Sequence, residues 1–450
     1  MKINKQAGPP EDLLYFDDEV NLTPLQVEDV VEIFNTPLTG SYNWDYTIAD
    51  NRIKKLYELG KELNWNGSID LQWDYTHPAD EKLVEPDEQL PHETLEAYKN
   101  LSEEEKILFD RHSTAELMSQ FLHGEQGALL VASQLASCAP TYNAKLYAAS
   151  QTFDEARHVE VFNRYLQEKI GIHYPINPAL KTLLDKILTD ERWDLKFIGM
   201  QIIIEGLALA AFQMLKTITK DPLLKQLLHY VVRDEARHVT FGINYLEDYI
   251  KTLSPEEIED RAEFAYEACV ISRERLINTK SEQKFLGMSA EEAREFQLNT
   301  ATFDMFRNFL FSRVIPNLSR IGLLTEKVRP KFEALGLLEY EHAPDDFECD
   351  WSELKKVRND FVSVARMDLN STALENKNMI DERDYQHNLA LCYACADGNY
   401  EAVKSALINR QILAWFFGHK KCYHYLKKQE HIASNTQTKL QIRIHINNTK

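Results

Sequence analysis

Apolar residues recur at helical spacing through most of the first 345 positions, and the breaks between the runs carry helix-stop and helix-start residues. Ser102, with Glu105 three residues later, forms a capping-box signature at the head of "EEEKILFDRHSTAELMSQFLHGEQGALLVASQLA". That run predicts one long helix ending near Pro140, with a second over about 141–170 that stops before Gly171. After "HYPINP" a shorter helix is expected, then a long one over 197–219. Asp221 as N-cap with Pro222 behind it opens the next, which runs to about Thr252, and Ser254-Pro255 opens another. No strand pattern precedes about residue 438, where "KLQIRIHINNTK" alternates apolar and polar positions. The expected body is all-α.

Before it, the first hundred residues mix short helical patterns such as "NRIKKLYELGKEL" with connections such as "WNGSIDLQWDYTHP". They read as a wrapping segment over 1–100, followed by a helical bundle over 101–345 and a linker over 346–380. Residues 381–450 form a tail whose ten Lys and Arg against six Asp and Glu set it apart from the acidic remainder.

Composition narrows the function classes. A net charge of −20 argues against phosphate backbones and anionic membrane surfaces as partners, because those need clustered Lys and Arg. Six scattered cysteines and an N-terminus without an apolar signal region make the cytoplasm the expected compartment. The apolar run 197–215, flanked by Lys196 and Lys216, is long enough to span a bilayer. It contains Gln201, Glu205 and Gln213, however, and a carboxylate at a bilayer centre costs roughly 2.5–3.5 kcal/mol, so a buried bundle helix is expected instead.

The candidate chemistry lies in a repeated string. "TFDEARHVEVFNRYL" starts at Thr152, and "RDEARHVTFGINYL" starts at Arg233. In each, a glutamate and a histidine stand three apart, Glu155 with His158 and Glu235 with His238, and so share a helix face. Thirty positions before each motif glutamate stands another in apolar surroundings, Glu125 and Glu205, and a helix breaker sits near the middle of each interval. If each pair folds as an antiparallel hairpin, equal rise on the two arms brings both glutamates to one height. Two hairpins packed together would then place four carboxylates and two imidazoles around one interior point. Bare carboxylates there would raise each other's pKa steeply, and two divalent cations would compensate them. One imidazole per ion among oxygen ligands suits iron or manganese better than a thiolate zinc site or an all-oxygen calcium cage. Salt bridges on solvated helix faces would account for either motif alone but not for the paired upstream glutamates.

Over roughly residues 100–280, with an extension toward 345, this pattern resembles the ferritin-like di-iron carboxylate superfamily. The resemblance implies a four-helix bundle with additional helices and a small helical tail. It implies that Glu125, Glu155 and His158 hold one iron and Glu205, Glu235 and His238 the other, with Glu155 and Glu235 bridging. A manganese–iron pair fits the same donors. Asp154 and Asp234 would orient the imidazoles, and Arg157 and Arg237 would neutralise those aspartates. Each well-known branch differs at one or two positions. The ribonucleotide reductase small subunit carries a tyrosine where this chain has Phe162 and an aspartate where it has Glu125. The multicomponent monooxygenases carry a threonine at Leu209, and the para-aminobenzoate N-oxygenases a histidine at Val231, with His229 nearby on another face. The pattern looks most like a branch near the N-oxygenases and the aryl or alkyl oxidases.

The leading expectation is a dioxygen-dependent di-iron oxidoreductase acting on a small apolar or aromatic organic substrate, with an electron donor that the residues do not identify. A ferroxidase or iron-binding protein without organic substrate is the alternative, and an interaction protein working through residues 381–450 a third. Gly124, Gly127, Ala128, Gly206 and Ala208 flank two of the glutamates and suit either a substrate pocket or close helix packing. Tyr165 and Tyr245, each seven after a motif histidine, are either core residues or redox-active. In the tail, "ACADGNYEAVKSAL" resembles one ankyrin helix pair turning at Gly398. Cys392, Cys395, His419, Cys422 and His424 could alternatively be drawn as a zinc site, though their spacing is irregular.

Overall fold

The computed structural model describes residues 31–47, 51–84 and 90–347. Its main elements are α1 (Arg52–Glu62), α2 (Glu103–Cys138), α3 (Tyr142–Tyr165), α4 (Pro178–Thr189), α5 (Trp193–Ile218), α6 (Pro222–Ile250) and α7 (Pro255–Arg275). Shorter helices, Lys280–Leu286, Ala290–Leu298, Ala301–Leu310, Ile315–Arg320 and Arg329–Ala334, continue to the end of the described chain. Among the described residues there is no strand, and Val84 pairs with Thr219 in an isolated bridge. The described residues form an all-α fold.

The helix starts follow from local chemistry. Glu105 N–H donates to Ser102 Oγ and Ser102 N–H to Glu105 Oε2, the reciprocal capping box at the head of α2. Thr141 caps α3, while Asp221 accepts from the N–H groups of Leu223 and Leu224 with Pro222 in the first turn of α6. Ser254 and Glu257 repeat the capping box at α7. Only α5 departs visibly from expectation, starting at Trp193 rather than near 197. Lys196 does not mark a membrane edge. Its ammonium is buried and donates to the carbonyls of Ile187 and Leu188, so the charge ends in α4 rather than in solvent. In α5, which is long and apolar enough to cross a membrane, 94% of the most apolar window is buried inside the bundle.

The short connection after Cys138 folds α3 back along α2, and the Asp221-Pro222 turn folds α6 back along α5. These two antiparallel hairpins form the bundle, with α1 laid across α3 and α6 and with α4 and α7 covering α5. Two close crossings depend on glycine. A Cβ at Gly127 of α2 would lie 2.3 Å from a methyl of Leu184, and one at Gly242 of α6 would lie 2.6 Å from Gln201 Cβ on α5. Immediately before Glu205, residues Ile198–Ile204 widen into a π-helical segment, which shifts the register just ahead of that carboxylate. The expected tail over 381–450, including its ankyrin-like pair, possible zinc site and strand-like end, lies outside the described residues.

Candidate metal centre

The arms of the two hairpins return all four glutamates to one level. The ligand atoms of Glu125, Glu155, His158 and Glu235 all lie within 4.8 Å of one another, and so do those of Glu155, Glu205, Glu235 and His238. Glu155 and Glu235 belong to both groups, and none of the six residues is more than 5% exposed. His158 Nδ1 is 3.1 Å from both Glu125 Oε2 and Glu235 Oε1. His238 Nδ1 is 3.0 Å from Glu155 Oε1.

Behind the histidines the two repeats exchange partners. His158 Nε2 lies 3.3 Å from Asp234 Oδ2, and His238 Nε2 lies 3.3 Å from Asp154 Oδ2, so each motif's aspartate faces the other motif's imidazole. Both arginines bridge both aspartates. Arg157 Nη2 is 2.5 Å from Asp154 and 2.9 Å from Asp234, and Arg237 Nη2 is 2.9 Å from Asp154 and 2.6 Å from Asp234. With one nitrogen held by an aspartate, each imidazole turns the other toward the carboxylates. The segment after α1 closes this ring from outside. Trp65 Nε1–H donates to Asp234 Oδ2 at 2.6 Å, Asn64 accepts from Arg157, and Gly60 leaves room for the Arg237 guanidinium.

The electrostatics are those of a site built for cations. Burial, reinforced by Glu235, pushes the carboxyl of Glu125 well above the ordinary carboxylate range. Burial pushes Glu205 well above it too. Burial works against charged imidazoles at His158 and His238, but the carboxylates facing them raise both well above the usual histidine value. Glu155 is the exception: burial opposes its ionisation, yet His238 and His158 hold it below the ordinary range. Without ions, these shifts favour protons on Glu125, Glu205 and both imidazoles. Meanwhile Glu155 Oε2, Glu205 Oε2, both oxygens of Glu235 and His238 Nδ1 are buried without a hydrogen bond of proper geometry, although the imidazole nitrogens approach Glu155 to 3.0 Å and Glu235 to 3.1 Å. Unsatisfied donor atoms converging on one point, four carboxylates with two imidazoles, fit a pair of divalent ions of the iron or manganese type.

Each of the ten residues singled out from the sequence lies in this cluster or in the ring behind it. Sequence reasoning missed Gln151 and Gln201, one helical turn before Glu155 and Glu205. The Gln151 amide donates to Glu205 Oε1 at 2.7 Å and Glu155 Oε1 at 3.2 Å, and that of Gln201 to Gln151 Oε1 at 3.4 Å. Their four-residue spacing from Glu155 and Glu205 was a usable signal. It also missed Trp65, the first residue of the Trp-containing connection quoted above. His229 lies off the cluster, 3.3 Å from Lys216, and Val231 is buried. The small residues divide: Leu184 fills the space at Gly127 and Val314 that at Gly206, whereas Gly124 has open space. Tyr165 is a core residue with its hydroxyl on Asp221 at 2.8 Å.

Comparison with known proteins agrees with this geometry. Residues 48–322 match the family described as P-aminobenzoate N-oxygenase AurF. No curated protein matches the chain. Among solved structures, a variant of an R2-like ligand-binding oxidase with an aerobically reconstituted Mn/Fe cofactor is similar at a TM-score of 0.41 and 20% identity, over 61% of this chain and 95% of that one. The family match spans more than half of the sequence and contains the whole carboxylate–histidine cluster. The chain belongs to the P-aminobenzoate N-oxygenase AurF family and is a non-haem di-iron oxidoreductase that uses dioxygen and an organic substrate.

Proposed function

We propose that the six clustered residues are the ligands of the two metal ions and that the substrate is a small, largely apolar or aromatic molecule, oxygenated at a nitrogen or carbon beside them. The ligand reading rests on the two overlapping four-residue groups. Glu125 and His158 would serve one ion, Glu205 and His238 the other, and Glu155 and Glu235 both. Two bound iron ions supply the electrons that activate dioxygen. The protein's share is positional. The Asp–Arg ring holds both imidazoles by their outer nitrogens, Gln151 ties Glu155 to Glu205 across the hairpins, and the buried interior keeps bulk water away.

Support for this substrate class lies on the side of the cluster opposite the glutamines. One turn from the ligands stand Phe121, Phe162, Leu209 and Val231, all apolar. Phe212 packs against Phe121 and Phe162 at ring-centroid distances of 4.7 and 5.5 Å. A substrate reaching the ions from that side meets hydrocarbon and aromatic edges, in keeping with an arylamine like the one in the family's name. The test is dioxygen uptake by anaerobic, Fe(II)-loaded protein with iron quantified in the same sample, beside a Glu155→Ala, Glu235→Ala variant. About two irons per chain and uptake stimulated by an arylamine are expected, both lost in the variant. Iron binding that survives the double substitution would reject the ligand assignment, and uptake by many irons with no response to any organic compound would favour a ferroxidase.

A further inference from the structure

The end of the bundle that carries the turn between α2 and α3 holds a cavity of about 630 Å³, a size usual for small-molecule sites. One wall is the segment 41–47, tied down along that turn. Ser41 N–H donates to the carbonyl of Ser137 at 3.0 Å, Asn43 Nδ2 donates to that of Pro140 at 2.9 Å, and the Tyr46 ring meets that of Tyr142 edge-on at 5.2 Å. The other wall is aromatic. Trp193 of α5 lies 4.4 Å from Tyr249 and 5.4 Å from Tyr245, both of α6, with the rings inclined at 55° and 61°. All three are half-buried and line the cavity, so their surfaces are open to a ligand. None of the six residues of the metal-centre cluster lines it, and Glu155 stands about 20 Å of helix rise beyond Tyr142 along α3.

Charge in this cavity is one-sided. Its lining holds two carboxylates, Asp45 and Asp248, and one guanidinium, Arg52. Arg52 is already engaged, 2.9 Å from Asp248 and 3.1 Å from Glu247, with its guanidinium 4.9 Å from the centre of the Phe347 ring. Asp45 is exposed, and among the described residues it makes no ion pair. Its Oδ1 accepts from the N–H and the hydroxyl of Thr47, which hold the carboxyl below the ordinary range, and its Oδ2 carries no such bond. A carboxylate without a counter-ion beside three aromatic rings selects positive charge. The ring faces attract a cation within about 6 Å of their centroids, and the carboxylate accepts from N–H donors. An anion entering the same space meets two carboxylates, and an uncharged ring leaves Asp45 uncompensated.

We propose that the cavity binds a small organic ammonium ion, its charge held by Asp45 and its body laid on the rings of Trp193, Tyr245 and Tyr249. This class differs from the arylamine inferred for the metal centre. An amino group conjugated to an aromatic ring is uncharged near neutral pH, whereas an aliphatic amine is protonated. The two sites therefore divide amines by charge and do not compete, and the ammonium site stands whether or not the metal-centre reading does.

The test is isothermal titration calorimetry of the full chain, metal-free and Fe(II)-loaded under anaerobic conditions, with benzylammonium near neutral pH. Benzyl alcohol, similar in shape but uncharged, is titrated beside it at the same ionic strength. One saturable site per chain is expected for benzylammonium, with benzyl alcohol about fivefold or more weaker and iron changing neither affinity. Asp45→Asn keeps an acceptor for Thr47, so the wall stays in place; it should weaken benzylammonium by about 3–10-fold and leave benzyl alcohol unchanged. Tyr249→Leu, with its melting temperature recorded to verify folding, should weaken benzylammonium by about 3–5-fold. Equal affinity for the two probes would overturn the proposal in favour of a plain apolar cleft. Full affinity in either variant would place the cation elsewhere on a chain of net charge −20, and no saturable binding to the natural protein would overturn the site outright.

Discussion

At the scale of single residues, the ring of Asp154, Arg157, Asp234 and Arg237 shows why the doubled motif keeps four charged side chains inside a core. Each aspartate fixes an imidazole from the opposite hairpin, and each would be an unpaired buried charge without the arginines. Arg237→Leu leaves both aspartates with Arg157 alone in a fully buried setting. It should destabilise the metal-free protein by about 3–5 kcal/mol in urea unfolding, the usual cost of breaking a buried ion pair from one side. Arg237→Lys should recover only part of the loss, because an ammonium cannot bridge two carboxylates as a planar guanidinium does. Gln151 poses a different test. Its amide joins a carboxylate from each hairpin without being a ligand itself, so Gln151→Leu should leave the fold intact and weaken iron binding by about 10–100-fold in chelator competition. Unchanged affinity would mean that the amide merely fills space.

At the scale of helices, α2 offers an internal control. Gly124 and Gly127 stand one turn apart, but a Cβ at Gly124 meets nothing within 4 Å, whereas one at Gly127 collides with Leu184 of α4. Gly124→Ala should therefore raise stability by roughly 0.5–1 kcal/mol through helix propensity, and Gly127→Ala should lower it by about 1–3 kcal/mol through overpacking. Thermal unfolding of the two variants decides whether α2 and α4 cross as closely as described. Which elements were legible in the sequence follows from where their signals reside. Ser102 with Glu105, Asp221 with Pro222, and Ser254 with Pro255 advertise helix starts through side chains adjacent to the backbone they cap, so those boundaries could be read directly. The start of α5 at Trp193 could not, because Lys196 looks like a flank until the carbonyls of Ile187 and Leu188 are in place to receive it. The π-helical segment Ile198–Ile204 was equally hidden, since an apolar run carries no mark of which turn will widen. The meeting of the four glutamates was legible because thirty residues and a central breaker define a height. The exchange of aspartates between histidines was not, because it depends on how two hairpins pack and no spacing within one motif encodes that.

At the scale of the whole molecule, the centre couples stability to metal and to pH, and the sign follows from the direction of the shifts. Glu125 and Glu205 are raised above the ordinary carboxylate value, and His158 and His238 above the ordinary histidine value. Each of these groups stabilises the metal-free fold fully below its unfolded value and loses that contribution as pH rises through its folded one. Glu155 and Asp234 are held low, so they contribute above the carboxylate range and lose stability only under more acidic conditions. Between about pH 5.5 and 7.5 only the raised groups of the centre change its contribution, which should fall across that window, whereas His123 and His229, held low by burial, pull the other way. Divalent ions replace the same protons, so their binding releases protons and strengthens with pH. The melting temperature gained on saturating Fe(II) binding under anaerobic conditions should therefore be small near pH 5.5 and grow to on the order of 5 °C near pH 7.5. Glu125→Gln combined with Glu205→Gln removes two of the four proton sites without changing side-chain size. That variant should show a metal-free melting temperature less sensitive to pH and a smaller metal-induced rise. An equal rise at both pH values in the natural protein would mean that the interior carboxylates are already ionised without metal, and that Arg157 and Arg237, rather than protons, hold the cluster together before iron arrives.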